Sequence, residues 1–247
     1  MNKDLIFLCI DQGNTFYKLG VYKGDHLLHF NEGTTLHLKQ IIELFVDYKI
    51  GHCILCEVKS IKESIKNYLK KHSRFHQMSV QLTLPVSIKY RTPETLGTDR
   101  LAAVCASARL FPRHHVLVIG IGTCITYDMI TTKSEYLGGN ISPGLDMRLK
   151  SMHHYTARLP LAVPNLKVDL IGNTTLTGLQ SGALWGIQAE IQGMITEYSQ
   201  KYPRLKVVLG GGGAEYYKNR LKKPIFAHPN LVILGLKEIL SLNVQKS

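Results

Sequence analysis

Apolar and polar positions along this chain alternate at two periods, and each change of period marks a new element. Residues 5–11, 15–22 and 26–30 read as three short strands, turned at Gly13 and at Lys23-Gly24-Asp25. From Leu36 to Tyr48 the period lengthens, and Leu38, Ile41, Ile42 and Phe45 share one helical face. A strand at 52–57 follows. Ser60 and Glu63 then form a capping box for a helix through Lys71, with Ile61, Ile65, Tyr68 and Leu69 inward. Residues 79–84 alternate as a strand, and Ser87 to Asp99 is a polar connection. A helix runs from near Thr98 to Phe111, where Pro112 stops it.

A second strand-turn-strand unit spans Val116 to Ile130. Its Ile119-Gly120-Ile121-Gly122-Thr123-Cys124 lines up with Ile10-Asp11-Gln12-Gly13-Asn14-Thr15, a weak internal repeat that suggests two similar lobes. A Gly138-Gly139 turn, a long helix from about Leu176 to Tyr198, a strand at 205–209, a helix at 214–221 and a last helix at 231–242 complete the chain. Glycines at 178, 182, 186 and 193 along the long helix would let another backbone approach it. Strands alternating with helices give the α/β class, divided as 1–114 and 115–247 with no linker between.

Composition narrows the class. The 247 residues are 45% hydrophobic and 19% charged, as in a globular protein with a sizeable core. A formal charge of +12 suits an anionic small substrate; the basic residues are too scattered to form a nucleic-acid footprint. The apolar run that stops at Asp11 is too short for a signal or a membrane span. Five cysteines form no paired framework, as expected of a cytoplasmic protein. Cys53 and Cys56 would point to opposite faces of a strand and are read as core residues.

Candidate chemistry starts at Asp11. An acid at a strand end, a glycine turn at Gly13, short polar side chains at Asn14 and Thr15, and Lys18 together suit a metal-bound polyphosphate. On its own the stretch reads first as a hairpin with an Asp-x-Gly turn. Two further glycine turns, at 120–123 and 210–213, change that: backbone donors at strand ends are a common nucleotide cradle. No Gly-Lys dipeptide occurs, so a P-loop is excluded, and Gly120-x-Gly122 lacks the third glycine of a dinucleotide fingerprint. In the segment Tyr90 to Arg100, Asp99 and Arg100 fall in the first turn of a helix. Structurally they are a dipole-compatible acid and its surface partner. Chemically, Asp99 could accept a hydroxyl proton while Arg100 grips an anion. In a loose phosphoryl-transfer transition state, orienting the hydroxyl matters more than early deprotonation. The pairs His114-His115 and His153-His154 point apart and chelate poorly, and Trp185 and Tyr216-Tyr217 read as packing.

With these motifs in order, the chain resembles type III pantothenate kinases, of the acetate/sugar kinase and actin-like superfamily. DQGNTFYK, YRTPETLGTDR, GIGTCITYD, YLGGNISPG, TARLP, GNTTLTGLQSG and VVLGGGGA match the family's order over nearly the full length. The resemblance implies two actin-like (ribonuclease H-like) lobes with a nucleotide cleft between them, and ATP-dependent phosphorylation of pantothenate in coenzyme A synthesis. It implies Asp11 as a Mg²⁺ ligand, Gly13, Asn14, Thr15, Lys18 and Thr123 around ATP, and Asp99 as general base. Tyr90, Gly97, Thr98, Arg100 and Thr175 are implied as pantothenate contacts, and the functional form as a homodimer that could pack through the glycine-rich helix. Intramolecular packing is the other reading of those glycines. One departure concerns the monovalent cation, K⁺ or NH₄⁺, whose family site uses an acid where this chain has Gly120. Another is Cys56-Glu57-Val58-Lys59, where relatives often carry small residues ending in proline. Regulatory relatives and kinases for other hydroxylated acids share the fold and are the alternative functions.

Overall fold

The structure, a computed structural model, describes residues 5–222 and 225–244. By its backbone contacts the chain forms two compact units. One holds the residues up to Arg113, Thr132–Leu137 and the segment from Asn230 onward; the other holds His114–Thr131 and Gly138–Pro229. Chain order alone puts one boundary after residue 114, whereas the contacts return the last helix to the first unit.

In the first unit, β1 (Ile6–Gln12), β2 (Tyr17–Lys23) and β3 (His26–Gly33) form an antiparallel meander, followed by α1 (Leu38–Tyr48). Next come β4 (His52–Glu57), α2 (Glu63–His72) and β5 (Arg74–Gln77), giving the order β3-β2-β1-β4-β5 with β4 and β5 parallel to β1. Leu8, Ile10, Leu19, Cys53 and Leu55 pack with Ile41, Leu44, Ile65 and Leu69 of α1 and α2 on one face. The opposite face is covered by α3 (Thr98–Leu110) and by the last helix of the chain, Leu231–Val244.

α3 is buried from Arg100 to Ala108 except at Ala103, so it shows little amphipathic pattern. Its contact with the last helix is backbone to backbone: a Cβ at Gly235 would stand 1.8 Å from the Ala102 carbonyl oxygen. Only glycine permits that approach, which fixes where the start of α3 lies.

Three local expectations differ. Residues 79–84 are not a strand; the Asn243 side chain takes the role of a partner, accepting from Thr83 N–H at 3.0 Å and donating to its carbonyl at 3.0 Å. The Ser60–Glu63 box does not form. Instead α2 starts at Glu63, and Glu57 at the end of β4 accepts from Ile61 N–H at 3.0 Å and pairs with Lys66 at 2.8 Å. Gly138-Gly139 lies inside a strand rather than a turn, with Gly138 at φ 100.

A short strand β6 (Ser87–Ile88) and a 3-10 turn at Pro93–Thr95 precede α3. The second unit contains β7 (Val116–Ile121), β8 (Cys124–Ile130), most of β9 (Glu135–Pro143), α4 (Leu145–His154) and α5 (Thr175–Lys201). It then adds β10 (Lys206–Gly210), α6 (Ala214–Lys218) and β11 (Ile225–His228); the C-terminal helix is α7 (Leu231–Val244). The sheet runs β11-β10-β7-β8-β9-β6. Read outward from β7, the order β9-β8-β7-β10-β11 reproduces β3-β2-β1-β4-β5, including antiparallel β7–β8 and parallel β7–β10. The short repeat in sequence is therefore a repeat of topology. Leu184, Ile187, Ile191 and Ile195 of α5 pack against this sheet with Leu117, Ile119 and Leu209. Among the described residues no helix is long and apolar enough to cross a membrane.

Candidate active site

Strand register builds the site in the first unit. Lys18 of β2 stands opposite Asp11 of β1, Glu32 of β3 opposite Lys18, and Cys56 of β4 beside Asp11. Directly paired residues share a face, so Glu32, Lys18, Asp11 and Cys56 form one row across four strands. This is the face covered by α3 and α7, and both helices begin at the row. Thr98, the first residue of α3, places its Oγ1 3.3 Å from Cys56 Sγ. Asn230, just before α7, accepts from Lys18 Nζ at 3.1 Å, and Glu32 lies 3.7 Å from the same nitrogen. Two helix N-termini thus meet an acid and a lysine, an arrangement that favours bound anions.

Asp11 carries a marked electrostatic signature. Burial raises its carboxyl from the ordinary carboxylate range to about 7; the Asp99 charge adds to this, while Lys18 and the neighbouring Cys56 thiol oppose it. Its Oδ1 is buried with no hydrogen-bond partner. Such an orphaned acceptor fits a cation ligand, since Mg²⁺ typically takes one or two carboxylates and fills its remaining positions with phosphate and water. No cluster of three or more acidic, histidine or cysteine ligands exists among the described residues, so any divalent ion here must draw on phosphate and water.

Asp99 stands in the first turn of α3, where its Oδ1 accepts from Arg100 N–H at 2.8 Å. Gly97 is the N-cap, and Leu101 N–H donates to its carbonyl at 3.1 Å. Arg100 is buried at 8% exposure. The turn after β1 closes through Gly13 N–H to the Phe16 carbonyl at 3.0 Å, leaving Asn14 and Thr15 exposed. Tyr90 stacks on Tyr136 with ring centroids 6.3 Å apart. The structure thus brings together Asp11, Lys18, Thr98 and Asp99 in one unit and places Tyr90 in a separate aromatic pair.

In the second unit the corresponding turn follows β7. Thr123 is exposed, and its carbonyl accepts from Gly144 N–H at 3.0 Å. The glycine run after β10 folds against it: Gly213 N–H donates to the Ile121 carbonyl at 3.2 Å, and Gly211 sits at φ 84 beside that same oxygen. Two of the three glycine turns therefore form one surface. Gly120 pairs with Thr126 and Gly210, and a Cβ on it would come 2.7 Å from Thr126 Oγ1. Asp146 is engaged by Lys150 at 2.6 Å on α4. Thr175 is the exposed first residue of α5. A family model for type III pantothenate kinase matches residues 7–197.

The chain belongs to the type III pantothenate kinase family.

It is 40% identical to a type III pantothenate kinase of Christiangramia forsetii over 96% of this chain and 98% of that one. A second family member, from Cytophaga hutchinsonii, is 38% identical over 96% and 99% of the two chains. Among solved structures, the inorganic polyphosphate/ATP-glucomannokinase of an Arthrobacter strain superposes with a TM-score of 0.52 at 15% identity, covering 96% of this chain and 99% of that one. The α/β, two-lobe actin-like class expected from the sequence is the fold these proteins share. Against the family frame, two residues of the row, Glu32 and Cys56, and the neighbouring Asn230 were not legible as site residues. Strand alternation puts Cys56 on one face, but only the β1–β4 register puts that face beside Asp11. Asn230 is 212 residues from Lys18, and no local pattern announces it.

Proposed function

We propose that this chain transfers the γ-phosphoryl group of ATP to the terminal hydroxyl of pantothenate, giving 4′-phosphopantothenate in the first step of coenzyme A synthesis. The observation that carries the reading is the meeting of Asp11, Lys18 and Asp99 at the N-termini of α3 and α7. Family membership supplies the substrate.

Each residue then takes a role its surroundings support. Gly13, Asn14 and Thr15 offer an exposed turn to the phosphates, and Lys18 neutralises their charge. Thr123, exposed in the second unit's turn, is the nucleotide contact there. Asp99, with one oxygen held by Arg100 N–H, aims its carboxylate at the pantothenate hydroxyl and takes its proton as the phosphoryl group departs from ADP. Arg100 serves the substrate carboxylate; Tyr90, Gly97, Thr98 and Thr175 complete the acceptor's contacts. Asp11 would hold Mg²⁺ through its unpartnered oxygen, and that ion would neutralise charge on the phosphates. A monovalent cation fits less well. Thr126 Oγ1 fills the space a side chain at Gly120 would need, so no acid stands there for K⁺ or NH₄⁺ and no step is assigned to either.

A homodimer in the cytoplasm is the form we propose. Gly182 and Gly193 on α5 face open space within this chain, which supports packing against a second copy there, whereas Gly178 is approached by Gly172 of the same chain. The test is direct. Purified protein with Mg-ATP and pantothenate should yield ADP and 4′-phosphopantothenate by mass spectrometry; a folded protein that produces neither, with or without K⁺, overturns the reading.

A further inference from the structure

We propose that Glu190 of α5 is a positioning residue for ATP binding: it holds Arg148, and Arg148 holds the Pro143–Gly144 corner that seats the turn at Gly122 and Thr123. The proposal rests on the reading of that turn as the nucleotide contact of the second unit.

The chain of contacts is continuous. Glu190 Oε1 accepts from Tyr127 Oη of β8 at 2.7 Å and from Ser142 Oγ of β9 at 2.5 Å, while Oε2 accepts from Arg148 Nη2 of α4. Burial opposes its charge, yet the bonds from Ser142, Arg148 and Tyr127 hold its carboxyl below the usual range, so it stays anionic at neutral pH. Arg148 then turns its Nε to the Pro143 carbonyl at 2.8 Å. A planar guanidinium gripped along one edge in this way fixes both partners. The next residue, Gly144, donates its N–H to the Thr123 carbonyl at 3.0 Å. A Cβ there would stand 2.2 Å from the Gly122 oxygen and 2.6 Å from that of Thr123, so the corner presses directly on the turn. On the turn's other side Gly213 N–H holds the Ile121 carbonyl at 3.2 Å. A shift of Arg148 therefore reaches Thr123 through one residue. Packing alone does not call for such a group. The residues of α5 that meet the sheet, Leu184, Ile187, Ile191 and Ile195, are apolar, and a buried ion pair is weak evidence of a stabilising role.

The test uses the full chain, with a non-hydrolysable ATP analogue and Mg²⁺ as the probe in titration calorimetry. Glu190→Gln keeps the size and an oxygen for the Tyr127 and Ser142 hydroxyls but turns an amide toward the guanidinium; Arg148→Met removes the guanidinium itself. Each should raise the analogue's dissociation constant and the KM for ATP about tenfold, while the KM for pantothenate stays within about twofold. Because the two residues act in series, the double variant should lose no more than about twofold beyond either single one. Tyr127→Phe removes a donor outside that series and should stay within about threefold of wild type. Analogue binding unchanged by Glu190→Gln overturns the proposal, and so do additive losses, which would mean that Arg148 acts without Glu190. Equal losses in Tyr127→Phe, or both KM values rising together, would mean general loosening of the unit and overturn it too. Thr123→Ala separates the two readings. If it leaves binding intact, the nucleotide role of the turn falls and this proposal with it; if it weakens binding while Glu190→Gln does not, the turn keeps its role and the positioning series falls. If wild type binds the analogue with the expected variant pattern yet makes no phosphopantothenate, the pantothenate assignment fails and the positioning role stands.

Discussion

β1 and β7 hold the same place in two sheets of one topology, yet the residues at their ends are opposites. On β1, Asp11 is flanked by Lys18 and Cys56; on β7, Gly120 is flanked by Thr126 and Gly210. The first row concentrates charge in a buried place and leaves an acceptor unpartnered. The second contains no ionisable side chain until His228, paired with Gly210 on β11, and its neighbouring turn offers backbone. Fold repetition thus supplies two strand-end turns of one topology, and side chains decide that only the first carries the acid and the lysine on which the proposed cation role rests.

The largest effect in this contrast belongs to the base beside the charged row. Asp99→Asn should lower kcat about a hundredfold or more while leaving the KM for ATP within about threefold, measured by coupled ADP release. A kcat equal to wild type would remove Asp99 from proton transfer.

Next comes Asp11→Asn, in which loss and gain separate. Turnover at fixed Mg²⁺ should fall by tens of fold, about the effect of losing a metal-binding group. Stability without ligands should move the other way. Because the folded carboxyl titrates near 7 and the unfolded one in the ordinary range, the folded state binds the proton more tightly. Wild-type stability should therefore fall as pH rises from about 4 to about 7 and stay flat above. Asp11→Asn should be the more stable protein at pH 8, by an amount on the order of a few kcal/mol, and lose that advantage by pH 5. Melting temperatures of both at the two pH values decide it; parallel curves would mean that Asp11 is not buried as a charge.

Transplanting the acid probes the other row. Gly120→Asp meets Thr126 Oγ1 and should cost about 1–3 kcal/mol in urea unfolding, without creating the first row's cation site. A variant as stable as wild type would show that Thr126 yields easily. The smallest effect should come from replacing K⁺ with tetramethylammonium at constant ionic strength, expected to change kcat by less than about twofold because no acid stands at Gly120. A collapse of activity would show that another group, such as the buried Asp128 opposite Val118, serves the cation.

Period and turn chemistry made most elements legible. β1, β4 and β7 carry strong local signals, and α3 is marked by Gly97 before it and Pro112 after it rather than by an apolar stripe. What failed was decided by distant partners. The 79–84 segment alternates like a strand, but Asn243 satisfies its backbone from the far end of the chain. α4 was not foreseen as a helix; only Leu149 is buried along it, so its sequence lacks a full apolar stripe. In the site, Asp11, Lys18 and Asp99 stood out through turn and helix-start chemistry, whereas Cys56 and Asn230 depend on register and on the return of α7. Side-chain type is local information; which sheet face meets which helix is not.

That return has a consequence for how the protein comes into being. Lys18 and Asn230 close a loop of 212 residues, whereas Asp11 and Lys18 close a tight hairpin. Loop entropy grows only logarithmically, so the longer closure costs about 3 kcal/mol more than the short one. Its effect on timing is greater. The hairpin that carries Asp11 can form as soon as it is synthesised, but its lysine stays without Asn230, and Gly235 cannot seat against Ala102, until the last helix is made. A nascent chain therefore carries the Asp11–Lys18 hairpin long before Asn230 can meet its lysine, a contact that waits on synthesis of α7.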